Sequence, residues 1–324
     1  MITEIVPYLP PGRIENGQLA SELGRWSAEE IFAKTGIRSR CLAAPGETAV
    51  DLAVKAVDAI KAVHSLENLD FLLLCTQTGD YKLPSSSCLV QGRSRLPTTC
   101  GCLDINLACS GFIYGLSLAE ALVGSQVKNV LLVTSDTYTR FIHPRDTVCR
   151  PIFGDGAAAT LVSRSTPSRV TGFAFGTDGG RAMSMALTAG GAKLPGYRGE
   201  VAELSVRSPE FIQMNGPEIY NFTLGAVPAI VATTLQKAEL TERNIDYYVF
   251  HQANGFMLEA LRRKLGISSE RFIIDIAETG NLVSASIPVV LAKMKQRGQL
   301  APGVRTLLCG FGVGLSWGAC VVEW

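Results

Sequence analysis

Three side chains, far apart in the chain, have the types that nucleophilic catalysis needs. Cys109 closes the stretch Asp104-Ile-Asn-Leu-Ala-Cys109-Ser-Gly-Phe, where a short apolar run gives way to a long apolar helix. A thiol at the first turn of a helix faces unpaired N–H groups and the positive end of the macrodipole, and both favour thiolate. The thiolate is the nucleophile, so Cys109 is a candidate for covalent catalysis. Of the three histidines, His64 ends a surface-type helix and His143 sits in the turn Phe141-Ile-His143-Pro144. His251 differs, because the apolar run Ile245-Asp-Tyr-Tyr-Val-Phe leads straight into His251-Gln-Ala-Asn254. Asn281 lies in Gly280-Asn281-Leu-Val-Ser-Ala-Ser-Ile-Pro288; taken alone it reads as a helix cap or turn residue. Gly310-Phe-Gly-Val-Gly314 reads as a tight turn, or as a bend that aims N–H groups at a developing oxyanion. No Lys-Ser/Thr follows it, which argues against a phosphate loop.

The elements that must position these residues repeat. Leu69-Asp-Phe-Leu-Leu-Leu-Cys75 and Ile245-Asp-Tyr-Tyr-Val-Phe-His251 both read as buried strands, followed by helices over Ser85 to Leu96 and Phe256 to Leu265. Leu103 to Cys109 and Ile274 to Asn281 read as short strands that break into helices, Gly111 to Val123 and Ser284 to Arg297. Each half then adds a strand, a Gly-rich turn and a closing strand. Thr48 to Val63 adds an amphipathic helix. The order predicts two similar α/β halves, 1–165 and 166–324, with sheets covered on both faces. Cys109 and Asn281 then occupy nearly matching positions, and His251 follows a matching strand.

The bulk numbers set limits. A chain of 324 residues, 47% hydrophobic, builds a large core in about two domain-sized units. Thirty basic against 29 acidic residues leave a formal charge of +1, which does not point to a nucleic-acid partner. The nine cysteines are scattered, mostly in apolar runs, and form no Cys-x-x-Cys pair, so reduced thiols in the cytoplasm are expected and a metal site is not. Met1-Ile-Thr-Glu-Ile-Val-Pro lacks the pattern of a signal peptide, and no apolar stretch has membrane-spanning length.

Together the motifs resemble the β-ketoacyl-[acyl carrier protein] synthase III family, within the thiolase-like superfamily. The resemblance runs nearly the whole chain. It is carried by Tyr8-Leu-Pro, Thr35-Gly-Ile-Arg38-Ser-Arg40, Asp104 to Gly111, Phe153-Gly-Asp-Gly-Ala-Ala-Ala, Met214-Asn-Gly, His251-Gln-Ala-Asn254, Gly280-Asn281 with Ser284-Ala-Ser-Ile-Pro288, and Gly310-Phe-Gly-Val-Gly-Leu-Ser-Trp-Gly318.

The resemblance implies a five-layered αβαβα thiolase-like fold, usually a homodimer, with Cys109, His251 and Asn281 as a catalytic triad. It implies a ping-pong decarboxylative Claisen condensation, in fatty-acid or related acyl-chain biosynthesis. An acyl group passes from acyl-CoA to Cys109 and then joins the carbanion of malonyl-[acyl carrier protein], with no cofactor. In that scheme His251 helps hold Cys109 ionised. The second oxyanion is held by the N–H of Cys109 and one from Gly312 or Val313, where Val replaces the more usual Gly. Asn215, Asn254, Leu83 and Phe311 match positions around the pantetheine tunnel and acyl pocket; Leu83 stands where Phe is common, which favours a longer or branched acyl group. Arg262, Arg263 and Lys264 match a helix that docks the carrier protein. The family's adenine-stacking Trp is replaced by Glu30. Trp26 stands one helical turn earlier, where a continuous helix puts it on the same face as position 30, and Lys34 stands directly before Thr35; these two are expected to bind CoA.

Within the superfamily, elongating synthases pair the Cys with two His, and thiolases use a second Cys late in the chain, close to a Gly-rich loop such as the one Cys309 precedes. Asn281 argues against both. Chalcone-synthase-like enzymes are longer. An acyltransferase that passes the Cys-bound acyl group to an alcohol or amine is the competing activity. A non-catalytic chain-length partner would have lost Cys109.

Overall fold

The computed structural model describes residues 1–125, 127–164, 168–196 and 204–324. In chain order its elements are β1 (Ile2–Tyr8), β2 (Gly12–Glu15), α1 (Asn16–Leu23), α2 (Ala28–Thr35), β3 (Ser39–Leu42), α3 (Ala49–Lys61), β4 (Phe71–Cys75), α4 (Ser86–Arg93), β5 (Gly101–Ile105), α5 (Gly111–Gly124), β6 (Asn129–Asp136) and β7 (Gly156–Ser163). There follow β8 (Arg169–Thr177), β9 (Met185–Ala186), β10 (Gln213–Met214), α6 (Gly216–Lys237), β11 (Tyr247–Phe250), α7 (Gly255–Lys264), β12 (Phe272–Ile273), α8 (Ser286–Gln296), β13 (Arg305–Gly312) and β14 (Ser316–Glu323).

Two five-stranded sheets carry the fold. The first has the order β1-β7-β6-β4-β5 and the second β8-β14-β13-β11-β12. Strand for strand the orders correspond. In each, the three strands at one end are parallel and the remaining pairings antiparallel. The duplicated order read from the sequence is therefore the architecture of the molecule.

Three helix layers alternate with the two sheets, five layers in all. α5 and α8 lie between the sheets, with Phe112, Ile113, Leu116, Ile287, Val290 and Leu291 in one core with β4, β6, β11 and β13. A helix between two sheets meets apolar surface on every side, which explains why α5 lacks a polar stripe. α3 covers the outer face of the first sheet with the stripe Val50, Leu52, Ala53, Ala56, Val57 and Ile60. α6 and α7 cover the outer face of the second. Each fully buried aliphatic or aromatic side chain contributes about 1.5–3 kcal/mol to this arrangement.

Local chemistry sets the ends. Thr48 caps α3 by a reciprocal box with Asp51, Asn215 caps α6 and Asn254 caps α7. At the start of α5 only Gly fits, because a Cβ at position 111 would stand 2.2 Å from the sulfur of Cys75. No helix among the described residues is long and apolar enough to cross a membrane.

Candidate active site

Cys109 lies in the bend between β5 and α5, and α5 begins only at Gly111 with Ser110 as its cap. The thiol therefore stands just outside the helix rather than in its first turn, and it is buried. Burial pushes its pKa up, the nearby Asp136 carboxylate pushes it further, and its own backbone N–H opposes them. The expected resting thiolate is corrected on this point: enclosure outweighs the helix terminus, and the resting group is a neutral thiol.

His251 follows β11 directly, with its backbone N–H donating to the Cys309 carbonyl at 2.8 Å. Burial pushes the imidazole down to about 3, against an opposing backbone hydrogen bond at Val283. It is neutral at physiological pH, so it does not pair with Cys109 as an imidazolium. Its Nδ1 lies 2.8 Å from the Ser286 hydroxyl. A hydroxyl both accepts and donates. The ring can thus present either a lone pair or a proton at Nε2.

Asn281 reaches the same place from the turn before α8. Its backbone pairs with the 152–154 strap: Asn281 N–H donates to Ile152 at 2.9 Å, and Gly154 N–H donates to Asn281 at 3.0 Å. The Val283 N–H donates to Asn281 Oδ1 at 2.9 Å, which fixes the amide orientation. The Nδ2 then points to the Ala253 carbonyl at 3.3 Å and lies 3.4 Å from His251 Nε2. With a proton on Nε2, two neutral donors stand side by side.

Cys109, His251 and Asn281 line one cavity of about 330 Å³, together with Phe311, Gly312 and Asn254. Phe311 meets the His251 ring edge-on at 5.6 Å. Position 312 must lack a side chain here, since a Cβ would stand 2.8 Å from Cys109 Cβ and 3.1 Å from its sulfur. Val313 faces a second cavity of about 370 Å³ with Gln77, Tyr138, Phe141 and Ile212. Met185 lines both cavities.

The other expected residues divide. Lys34 and Asn254 line the Cys109 cavity. Asn215 caps α6 through Glu218 and lines a neighbouring groove with Arg25, Arg145 and Arg207. Leu83 is exposed and lines neither of these two cavities. Trp26 does not share a helix with Glu30 or Lys34. α1 ends at Leu23 against a left-handed Gly24, and Ser27 starts α2 by a capping box with Glu30. Ser27-x-x-Glu30 is a stop-and-start signal that overrides the helical repeat. The Trp26 ring instead packs on Ile14, Leu19 and Ile31, with the Lys34 ammonium 4.5 Å and the Arg25 guanidinium 4.8 Å from its centroid.

The basic run on α7 also divides. Arg262 is held by Glu259 at 2.7 Å and by the Ile267 carbonyl at 2.7 Å. Arg263 and Lys264 instead line a groove between α2, α6 and α7 with Phe32, Tyr220 and Phe256. The sequence reading did not single out Ser286, Asp136 or Arg40. Arg40 is wholly buried and holds the Pro151 carbonyl through Nε at 2.9 Å, beside the strap that pairs with Asn281.

Comparison with known proteins identifies the family and the fold. The family described as 3-oxoacyl-[acyl-carrier-protein (ACP)] synthase III matches residues 103–179, and its C-terminal counterpart matches 235–324. The β-ketoacyl-[acyl-carrier-protein] synthase III of Clostridioides difficile (strain 630) is 33% identical over 322 residues, 98% of this chain and 96% of that protein. A crystal structure of a 3-oxoacyl-(acyl-carrier-protein) synthase III is 43% identical with TM-score 0.95, covering 100% of this chain and 99% of that one. The corresponding enzyme of Pseudomonas aeruginosa PAO1 is 30% identical with TM-score 0.89, covering 100% and 97%.

Proposed function

The chain belongs to the 3-oxoacyl-[acyl-carrier-protein] synthase III family, and on that premise we propose how its residues divide the work of a condensing enzyme. Its reaction joins an acyl thioester to a malonyl thioester with loss of CO2, an acyltransferase reaction through Cys109. The observation that carries the residue roles is the single cavity holding a buried thiol, a neutral imidazole and an oriented carboxamide.

In the first half-reaction the Cys109 sulfur attacks the acyl thioester carbon. His251 Nε2 takes the thiol proton as the S–C bond forms and returns it to the departing thiolate. In the second, a malonyl thioester on acyl carrier protein enters. His251 Nε2–H and Asn281 Nδ2–H donate to its thioester carbonyl. The C–CO2 bond breaks, and its electron pair moves into an enolate whose oxygen both donors stabilise. The enolate carbon attacks the acyl-Cys109 carbonyl, the C–S bond breaks, and the sulfur leaves as a thiolate that takes up a proton from water, the one proton the net reaction consumes. Backbone N–H groups at Cys109 and at Gly312 or Val313 hold the oxyanion of that step. The thioester's own reactivity drives these steps, which call for no metal or cofactor.

The surroundings support the partners. We assign the acyl chain to the cavity beside Val313, and CoA phosphates to the groove of Arg25, Arg145 and Arg207 with Trp26 and Lys34 at its side. Arg263 and Lys264, with exposed Phe32 and Phe256, suit an acidic carrier protein; their role is mostly steering. Two copies pair through β5, the edge of the first sheet, whose outer side is unpaired. Leu103 is half exposed there, and Leu83 precedes Ser86, whose N–H donates to Asp104 of β5. Nine free cysteines, six of them buried, fit the reducing cytoplasm. We read 1–165 and 166–324 as the two halves.

The test is intact-mass analysis of wild type and Cys109→Ala after incubation with a graded series of acyl-CoAs, followed by malonyl-[acyl carrier protein]. Wild type gains the acyl mass and then loses it with release of CO2; Cys109→Ala gains none. Transfer to an alcohol or amine without CO2 would establish the competing activity instead.

A further inference from the structure

One buried carboxylate has no part in these steps. Asp136 ends β6 in the first half and is wholly enclosed. It belongs to none of the ion pairs among the described residues. Hydrogen bonds take the place of a cation. Oδ1 accepts from the Gln77 N–H at 2.9 Å and the Thr78 hydroxyl at 3.2 Å. Oδ2 accepts from the Ser284 hydroxyl at 2.5 Å and the Ser284 N–H at 3.3 Å. Burial pushes the carboxyl up to about 6, and these donors, Ser284 first, pull against it. A buried carboxylate with no cation is costly, and here hydrogen bonds from two separate segments offset that cost.

The two oxygens face opposite halves of the molecule. Oδ1 is tied to the loop after β4, in the half that carries Cys109. Oδ2 holds Ser284, in the half that carries His251 and Asn281. Ser284 lies between Val283, whose N–H orients the Asn281 amide, and Ser286, whose hydroxyl meets His251 Nδ1. Val283 has φ +55°, a left-handed conformation that a β-branched residue rarely adopts. The turn therefore carries strain at the residue that orients Asn281, and strain of this kind persists only where the surroundings hold it.

We infer that Asp136 is a positioning residue: through Ser284 it fixes the 281–286 turn and so aims the Asn281 and His251 donors at the thioester carbonyl beside Cys109. This rests on the condensing reading above.

The test is a double-mutant cycle on the full chain, with CO2 release from malonyl-[acyl carrier protein] as readout. Ser284→Ala removes one hydroxyl, and Asp136→Asn keeps the shape while removing the charge. Each is expected to slow CO2 release about ten- to a hundredfold at saturation, with KM within about threefold. In an Asn281→Ala background the same changes should cost several-fold less, because one of the groups they aim is gone. Unchanged CO2 release, or an equal loss in both backgrounds, overturns the inference. If Asp136→Asn does not fold, Ser284→Ala decides alone. A wild type that neither acylates nor releases CO2 overturns the condensing reading itself.

Discussion

Gly312 packs bare backbone against the nucleophile, so that a Cβ there would stand 2.8 Å from Cys109 Cβ and 3.1 Å from its sulfur. The Cβ is bonded directly to the Cys109 backbone and cannot swing aside, so one backbone must move. Gly312→Ala should leave the sheets folded, since β13 is otherwise unchanged, and should slow Cys109 acylation about a hundredfold, the usual cost of a misplacement near 1 Å. The rate of mass gain with a short acyl-CoA reads this directly. Acylation at the wild-type rate would mean that the sulfur attacks from another position.

His251 makes a prediction about acid. Its folded pKa lies near 3, below the ordinary value of 6.5, so the folded protein keeps the ring neutral while the unfolded chain gains a proton. Stability from this group is complete above pH 6.5 and is lost as pH falls toward 3, by at most about 1.4 kcal/mol per pH unit. Asp136, raised to about 6, acts in the opposite sense between the ordinary carboxylate range and pH 6. Comparing wild type with His251→Gln in urea melts from pH 4 to 8 isolates the first effect. The variant's midpoint should fall less steeply below pH 6.5; parallel curves would mean that the folded ring is protonated.

Cys109 and Asp136 are coupled by charge. The carboxylate adds to burial in keeping the thiol protonated. Asp136→Asn removes that anion, so the thiol pKa should fall and Cys109 should alkylate faster with iodoacetamide at pH 8. An unchanged or slower rate would show that enclosure alone sets the thiol's ionisation.

How far this site was legible in the sequence depends on the kind of signal. Cys109 and Asn281 stand at nearly matching points of a duplicated order, His251 directly follows another of its strands, and the sheets bring these points together. Their ionisation was not legible. A helix terminus is local and visible in sequence, whereas the burial that overrides it comes from the closure of α5, α8 and both sheets. Asp136 and Ser286 escaped for a related reason: each sits among residues that read as ordinary strand or helix, and their partners lie 148 and 35 positions away. Trp26 was misplaced although the needed signal, Ser27-x-x-Glu30, was in plain view. The helical repeat was extended across a cap.

The edge of the first sheet gives a test of assembly. β5 offers an unpaired row of backbone groups with Leu103 half exposed on it. Leu103→Arg places a charge where apolar contact is proposed. Sedimentation should then show a shift from dimer to monomer at micromolar concentration, with far-UV circular dichroism unchanged. A wild type that sediments as a monomer would end this proposal.

The basic end of α7 separates docking from stability. Arg262 spends its guanidinium on Glu259 and the Ile267 carbonyl, whereas Arg263 is bound only at Nε and Lys264 makes no hydrogen bond or ion pair among the described residues. Only the latter two line the groove beside Phe256. If an acidic carrier is steered there, Arg263→Glu with Lys264→Glu should raise KM for malonyl-[acyl carrier protein] about tenfold and leave acylation by acyl-CoA unchanged, because the nucleotide is proposed to bind in a different groove. The wild-type advantage should shrink as salt is raised, since exposed charges are screened over about 10 Å at 0.1 M. Arg262→Gln should behave differently, lowering the thermal midpoint with little effect on KM, because its hydrogen bonds tie α7 to the loop that follows. Equal effects of all three positions on KM would place the carrier on another face of the helix.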